Sequence, residues 1–254
     1  MTGADTFDER FADPLLDPAV WTTSYLPAWS SRAESAATYA VLPDGLHLSI
    51  PPEHPLWCPD LHEGRLRVSA VQSGNRSGPL GSSHGQQPFR EGLTVREEQP
   101  TVLGWTPHYG WIEVECSARI GPRSMFSAWM VGVEDAPHRC GEICLVEVFG
   151  DTVDAGGAAV GSGIHPFRDP ALTEEFSADR RAVDVAEPHR YGVEWRPGRV
   201  EFFVDGVVTR VCEQAPDYPM QLILGVFDFP DHPSACDGVA PTPELVVHRV
   251  RGNG

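Results

Sequence analysis

Two glutamates lie five positions apart in the apolar segment 141–150, which reads GEICLVEVFG. Side chains of a β-strand alternate between its two faces, so Glu142 and Cys144 share one face and strict alternation would turn Glu147 to the other. One extra residue near Leu145–Val146, a β-bulge, resets this alternation and returns Glu147 to the face of Glu142. The segment therefore predicts a bulged strand that presents two carboxyl groups side by side.

Such a pair of carboxyl groups could cleave a glycosidic bond. Retaining glycosidases use two carboxyl groups about 5–5.5 Å apart, one as nucleophile and the other as acid/base. Two close carboxylates also push their pKa values apart, so that one is ionised while the other holds a proton. In the alternative interpretation, Glu142 and Glu147 lie on a solvated face or pair with arginines such as Arg139. The strand alone leaves both interpretations open.

The rest of the chain is predicted to consist of short strands that position this pair. The 254 residues include 25 glycines and 24 prolines, and turn signals at 196–199 (RPGR) and 205–206 (DG) separate apolar segments into hairpins. This pattern predicts an all-β antiparallel sandwich, with residues 1–254 forming one domain. The Gly- and Ser-rich segment 73–87 is predicted to be an exposed loop. The predicted strands cover residues 39–41, 46–50, 66–71, 110–120, 125–133, 142–149, 190–195, 200–204, 207–211, 220–227 and 245–250.

Charge and cysteine usage restrict the classes of partner and cofactor. The formal net charge of −17 would repel a nucleic-acid backbone or an anionic membrane surface and is compatible with a neutral substrate. None of the six cysteines forms a CxxC pair, which argues against a zinc site, and a cytoplasmic location would keep the thiols free. The N-terminus shows no signal peptide and no apolar run reaches transmembrane length. We therefore expect a cytoplasmic protein, or a secreted one if a leader was removed, and we expect a monomer.

Several segments, taken in order, resemble glycoside hydrolase family 16, the laminarinase-like β-glucanases of the concanavalin A-like jelly-roll fold. The family's signature, Glu-x-Asp-x-x-Glu in its bulged form, reads EICLVE at 142–147 here. Segments 109–113 (YGWIE), 191–197 (YGVEWRP) and 203–206 (FVDG) also look like family strands and hairpins, and 245–251 looks like the closing strand. Segments 7–11 and 16–21 look like the N-terminal entry strand.

The resemblance implies a jelly roll of two curved antiparallel sheets and a carbohydrate substrate of the β-glucan type. Glu142 would be the nucleophile and Glu147 the acid/base of a retaining hydrolase. Cys144 stands where the family has its middle Asp, and a thiol is a weak donor that is normally neutral. The rival interpretations are therefore a glycan-binding protein with little catalysis, or a transglycosylase that uses the same groove.

The resemblance also bears on metal binding. The family often carries a structural calcium, with an Asp near the closing strand. The matching segment 245–248 reads LVVH and has no acid, so the ligands of any calcium would have to come from elsewhere. We therefore predict no cofactor and no metal.

Aromatic side chains are candidates for sugar contacts, because sugars present apolar CH faces. Trp129 is the platform that the resemblance implies, and His165 looks like a residue of the family strand opposite the catalytic one. Trp105 and Trp111 lie near the same strands, and each is as consistent with a core position. Trp57 lies in a turn-rich segment that could form the rim of a groove.

Overall fold

The computed structural model describes residues 6–233 and 241–253, in which sixteen β-strands form two large sheets and one small ribbon. The ranges agree with the predicted strands to within a few residues, and β9 agrees at both ends. In chain order the strands are β1 (Thr6–Glu9), β2 (Tyr39–Leu42), β3 (Gly45–Ser49), β4 (Arg67–Gln72), β5 (Gly74–Asn75), β6 (Val102–Leu103), β7 (Gly110–Arg119), β8 (Ser124–Gly132), β9 (Glu142–Phe149), β10 (Ala158–His165), β11 (Glu175–Arg181), β12 (His189–Arg196), β13 (Arg199–Val204), β14 (Val207–Cys212), β15 (Met220–Asp228) and β16 (Glu244–Asn253).

The strands pair antiparallel throughout the two large sheets. The eight-stranded sheet has the order β14-β13-β12-β7-β16-β3-β2, with β1 also paired to β16. The six-stranded sheet has the order β11-β10-β9-β8-β15-β4, and β5 and β6 form the separate ribbon. Two stacked antiparallel sheets of this kind confirm the predicted all-β jelly-roll fold.

Apolar side chains from both sheets meet in a core between them. Ile112 and Val114 of β7 face this core from the eight-stranded sheet, and Phe126, Ile143 and Leu145 of β8 and β9 face it from the other. All five are fully buried. Each contributes about 1.5–3 kcal/mol by leaving water. This inter-sheet core fixes the orientation of β9.

Loops cover part of the opposite face of the six-stranded sheet, which we call the cavity face. Apolar residues from these loops pack against Val68, Ala70, Ile223 and Phe227 of β4 and β15 and form a second hydrophobic cluster. This covering leaves an opening over β8, β9 and β10. The members of the cluster that lie outside the strands are Leu26, Trp29, Trp57, Cys58, Leu66 and Leu93.

Three sequence predictions need comment. The strand prediction lacked the short strands β5 and β6, the strand β10, and β11, an edge strand whose sequence EFSADRR shows no apolar alternation. The segment 73–87 is not a fully exposed loop, because it contains β5 and the buried Gln86. Five cysteines are free, as predicted, and all five are buried, whereas Cys236 lies outside the described residues. No helix in the described parts of the chain has the length and apolarity needed to cross a membrane.

Candidate active site

A β-bulge in β9 lies at the place that the sequence predicts. On the neighbouring strand β8, Ala128 is opposite Val146 and Trp129 is opposite Cys144, so Leu145 is the extra residue. Leu145 and Val146 both pack in the inter-sheet core. Two consecutive inward side chains reset the alternation of the strand.

The bulge brings both glutamates to the cavity face of the sheet. Glu142 and Glu147 line one cavity of about 410 Å³. Cys144 lies between them in the second hydrophobic cluster, beneath the cavity surface, and is 1% exposed. The structure therefore places the two carboxyl groups as the bulged-strand interpretation requires.

The cavity has an aromatic part and a polar part. A volume of about 410 Å³ lies within the range typical of small-ligand sites. The aromatic part offers flat apolar surfaces, and the polar part offers hydrogen-bonding groups. Aromatic lining residues include Tyr25, Trp57, Phe89, Trp129 and Phe227, and polar ones include Gln87, Glu134, His165 and Arg168 beside the two glutamates.

Glu142 is the more strongly perturbed of the two glutamates. Its side chain is 9% exposed, and burial, together with the charge of Glu147, raises its pKa to about 8. The Gln87 side-chain amide donates a hydrogen bond to Glu142, from Nε2 to Oε2 at 3.2 Å, and opposes this shift. Burial and the charge of Glu142 also raise the pKa of Tyr25, which indicates that its phenol lies near this carboxyl group.

Glu147 is half-buried and has a different set of neighbours. Burial raises its pKa, and the positive charge available on His165 opposes that shift. His165 lies opposite Glu142 in the β9–β10 register and pairs with Glu174, Nδ1 to Oε1 at 2.8 Å. The two carboxyl groups therefore differ in proton affinity, which lets one hold a proton while the other is ionised.

Cys144 contributes no charge to the site. Burial raises the pKa of its thiol well above the usual value, and the charges of Glu142 and Glu147 act in the same direction. The thiol is therefore neutral at ordinary pH, and it stands between two groups that compete for a proton. Within residues 6–233 and 241–253, no three His, Cys, Asp or Glu side chains are grouped as metal ligands.

Trp105 and Trp111 lie away from the cavity, which corrects their assignment as sugar contacts. Trp105 packs in the inter-sheet core and stacks on Phe7, with ring centroids 4.3 Å apart. Trp111 lies on the outer face of β7, because its neighbour Ile112 faces the core, and the Arg251 guanidinium lies 5.2 Å from its ring centroid. Their position in the sequence near the strands that line the cavity did not show which face each ring would occupy.

The remaining predicted residues line the cavity, together with two that the sequence analysis did not identify. Trp57, Trp129 and His165 are at its wall. Tyr25 and Gln87 also line it, and both come from loops without periodic patterning. Their approach to β9 depends on long-range folding, so no local signal in the sequence could have found them.

Comparisons with known proteins agree with this geometry. Residues 105–235 match the family described as glycosyl hydrolases family 16. A GlcNAcα1-4Gal-releasing endo-β-galactosidase from Clostridium perfringens is 26% identical, with a TM-score of 0.83 over 99% of this chain. This chain spans only 63% of that enzyme. No curated protein matches the sequence.

Two further solved structures share the fold. The catalytic domain of an endo-1,3-β-glucanase (laminarinase) from Thermotoga petrophila RKU-1 is 18% identical, with a TM-score of 0.66 over 99% of this chain and 98% of that chain. The endo-β-1,3-glucanase from Pyrococcus furiosus is 16% identical, with a TM-score of 0.64 over 100% of this chain and 98% of that chain. The family match covers more than half of the sequence and includes the bulged strand with both glutamates. The chain therefore belongs to the glycosyl hydrolases of family 16.

Proposed function

We propose that this chain is a retaining, endo-acting glycosidase in which Glu142 is the nucleophile and Glu147 the acid/base. The observation that carries the proposal is the bulge of β9, which turns both carboxyl groups toward one cavity. Membership of the family supports glycosidase or transglycosylase activity in general. The assignment of the two roles follows the order of the family motif along β9.

The reaction proceeds in two displacements at the anomeric carbon. First, a Glu142 oxygen bonds to this carbon while the bond to the leaving oxygen breaks, and Glu147 gives that oxygen its proton. Water then attacks the same carbon, passes a proton to Glu147 and releases Glu142. Two inversions retain the anomeric configuration. If a sugar hydroxyl replaces water, the same intermediate gives transglycosylation.

The proton affinities define the pH range of this chemistry. The pair needs one proton in total, carried by Glu147 when the leaving oxygen departs. Below the raised pKa of Glu147 both groups are protonated, and above about pH 8 both are ionised. Within this range Glu142 has the higher affinity for the proton in the empty site. The productive form, with the proton on Glu147, is therefore the less populated one.

The lining of the cavity supports a glycan substrate. Trp57, Trp129 and Tyr25 present ring surfaces that suit the apolar faces of sugars, and the polar part suits their hydroxyl groups. We propose internal β-galactosidic bonds as the first substrate class, because the endo-β-galactosidase is similar in both sequence and structure. The laminarinases share only the fold and support β-1,3-glucan as the second.

Cys144 favours one alternative, a glycan-binding protein with weak hydrolysis or with transglycosylation. The neutral thiol cannot supply the charge of a carboxylate between the two glutamates. The variant Cys144→Asp discriminates between the possibilities. A large gain in hydrolysis would identify an enzyme slowed by the thiol, whereas no gain in a protein that binds glycans would favour the binding function.

The test is a substrate panel with a stereochemical readout. Laminarin, a β-1,4-galactan and oligosaccharides ending in GlcNAcα1-4Gal are incubated with the protein, and both binding and release of reducing ends are measured. Proton NMR then records the anomeric configuration of the first product. We expect cleavage of a galactoside with a β-configured first product. An α-configured first product would contradict the double displacement.

Matched glutamine variants test the assignment of the pair. Glu142→Gln and Glu147→Gln are each expected to lower kcat by roughly a hundredfold or more. Glu187→Gln makes the same chemical change at an exposed position outside the cavity and should leave kcat unchanged. Full activity of Glu142→Gln would exclude the proposed nucleophile.

A further inference from the structure

We propose that Gln87 is a positioning residue that holds the Glu142 carboxylate for attack and accepts a hydrogen bond from a hydroxyl of the bound sugar. This inference rests on the proposed function of Glu142 as nucleophile. It concerns a loop residue far from the catalytic strand in sequence. Three features of the structure support it: the donor that reaches Glu142, the contacts that fix the loop, and an acceptor without a partner.

The first feature is the hydrogen bond from Gln87 Nε2 to Glu142 Oε2 at 3.2 Å. Among the described residues, no other side chain donates a hydrogen bond to Glu142. The thiol of Cys144, its neighbour on the same strand face, is neutral and a weak donor. A hydrogen bond to an ionised acceptor is roughly twice as strong as one between neutral groups. Gln87 is thus the one side chain that both orients this carboxylate and favours its charged form.

The second feature is the way the Gln87 backbone is fixed. Its N–H donates to the Glu134 carboxylate, and that carboxylate, which is buried, also binds the Arg168 guanidinium. The preceding residue, Gln86, donates from its side chain to the Val133 carbonyl at 3.2 Å. These hydrogen bonds attach the Gln87 loop to the segment that follows β8. The backbone from which the Gln87 side chain extends is therefore held in place.

The backbone angles of Gln87 and Glu134, the two residues joined by this contact, are unusual for residues other than glycine. Gln87 has a φ of 44° and Glu134 a φ of 54°, both in the left-handed region. Such a conformation costs on the order of 1 kcal/mol per residue and persists only where surrounding contacts determine it. Strain of this kind is concentrated at functional sites. Here both strained residues lie at the wall of the cavity.

The third feature is the Gln87 amide oxygen. Oε1 is buried and has no hydrogen-bond partner among the described residues. A buried acceptor without a partner costs about 1–3 kcal/mol. When Glu142 is ionised, its carboxylate can only accept hydrogen bonds, so the amide presents Nε2 to it and Oε1 is left for another donor. A hydroxyl of a sugar in the cavity would supply that donor, so one amide would contact both the nucleophile and the substrate.

The other groups around Glu142 act against its ionisation. The charges of Glu147 and Glu174 both raise its pKa, and burial contributes most. Tyr25 lies near it as a neutral phenol, and His165 lies opposite it on β10, where its charge acts on Glu147. Loss of the Gln87 donor therefore leaves only unfavourable influences on the charged form. The fraction of molecules that carry the proton on Glu142 then increases. The productive form, with the proton on Glu147, becomes less populated.

The kinetic test uses Gln87→Met, which keeps the length of the side chain and removes both donor and acceptor. On laminarin and on a para-nitrophenyl β-galactoside carrying GlcNAc in α-1,4 linkage, we expect kcat/KM to fall by about tenfold to a hundredfold. KM should rise because the amide oxygen that accepts a hydrogen bond from the sugar hydroxyl is lost. The alkaline limb of the pH profile should move to higher pH, because that limb mainly reports Glu142. A wild-type kcat/KM and pH profile would overturn the proposal.

Gln214→Met is the matched control. Gln214 also donates from Nε2 to a carboxylate, Glu175 Oε2 at 2.8 Å, but this pair lies outside the cavity. The control should leave kcat/KM and the pH profile unchanged. If Gln87→Met does not fold, Gln87→Glu serves instead. It retains an acceptor oxygen and places a like charge beside Glu142, so the alkaline limb should move further in the same direction.

A titration without turnover separates this inference from the proposed function. Protein labelled at the glutamate carboxyl carbon is titrated by NMR, and the Glu142 signal is assigned by its loss in Glu142→Gln. We expect the Glu142 midpoint to lie at higher pH in Gln87→Met than in the wild type. An unchanged midpoint would overturn the role of Gln87 even in an active enzyme. A shifted midpoint in a protein that cleaves no substrate would reject the proposed function and retain the Gln87–Glu142 contact.

Discussion

The two faces of the six-stranded sheet carry opposite kinds of side chain on the same strand. On β9, Ile143 and Val148 face the inter-sheet core and are fully buried, whereas Glu142 and Glu147 face the cavity. Burial stabilises the first pair, and in the second pair it raises the pKa and opposes ionisation. One strand therefore separates side chains that stabilise the fold from two carboxyl groups that line the cavity.

The largest effect on stability is expected from the inward face. Ile143→Ala removes a fully buried side chain from the inter-sheet core and should lower the free energy of unfolding by about 2–5 kcal/mol. The folded variant should retain its pH profile, because the cavity face is unchanged. Denaturant titration and initial rates measure the two quantities. A selective loss of activity at unchanged stability would show that the two faces are not separate in function.

A pH-dependent effect on stability is expected from the cavity face. The pKa of Glu142 has the ordinary value of about 4.5 in the unfolded chain, and burial and the charge of Glu147 raise it to about 8 in the folded protein. The unfolded state therefore binds fewer protons between these values, and stability falls as pH rises, by at most about 1.4 kcal/mol per pH unit. Glu142→Gln lacks this dependence and should gain stability over the wild type as pH rises. An equal pH dependence in both proteins would contradict the burial of an ionisable Glu142.

A smaller effect on substrate affinity should distinguish the aromatic residues of the two sheets. Trp129→Phe reduces the ring surface at the cavity and is expected to weaken glycan binding by about 1 kcal/mol. Trp111→Phe makes the same change on the outer face of β7, away from the cavity, and should leave binding unchanged. Calorimetry with the cleavable oligosaccharide, using Glu147→Gln as background, measures both. A larger loss for Trp111→Phe would reverse the assignment of the faces.

The sequence predicts those parts of the structure that depend on local alternation. The strand at 142–149 and its bulge follow from the order of apolar and acidic residues, and the structure contains both. The hairpin turn at 205–206 follows from its turn chemistry in the same way, and β13 and β14 pair across it. In each case the signal lies within a few residues of the feature.

Other parts of the site depend on contacts that no local pattern encodes. The alternation around Trp111 predicts a strand but cannot tell which sheet contains it or which face meets the cavity. Gln87 lies in a polar segment and reaches Glu142 only because Glu134 holds its backbone, 47 positions away. Tyr25 likewise reaches the cavity through the packing of a loop on β15. These residues are defined by tertiary structure.

Azide rescue tests most directly the proposal that Glu142 is the nucleophile and Glu147 the acid/base. With a para-nitrophenyl glycoside of the sugar that the wild type cleaves, Glu142→Gly and azide should yield an α-glycosyl azide, because azide attacks from the side that the nucleophile has vacated. Glu147→Ala and azide should yield a β-glycosyl azide, because azide opens the glycosyl-enzyme formed on Glu142. A β-glycosyl azide from Glu142→Gly, or an α-glycosyl azide from Glu147→Ala, would contradict the assignment.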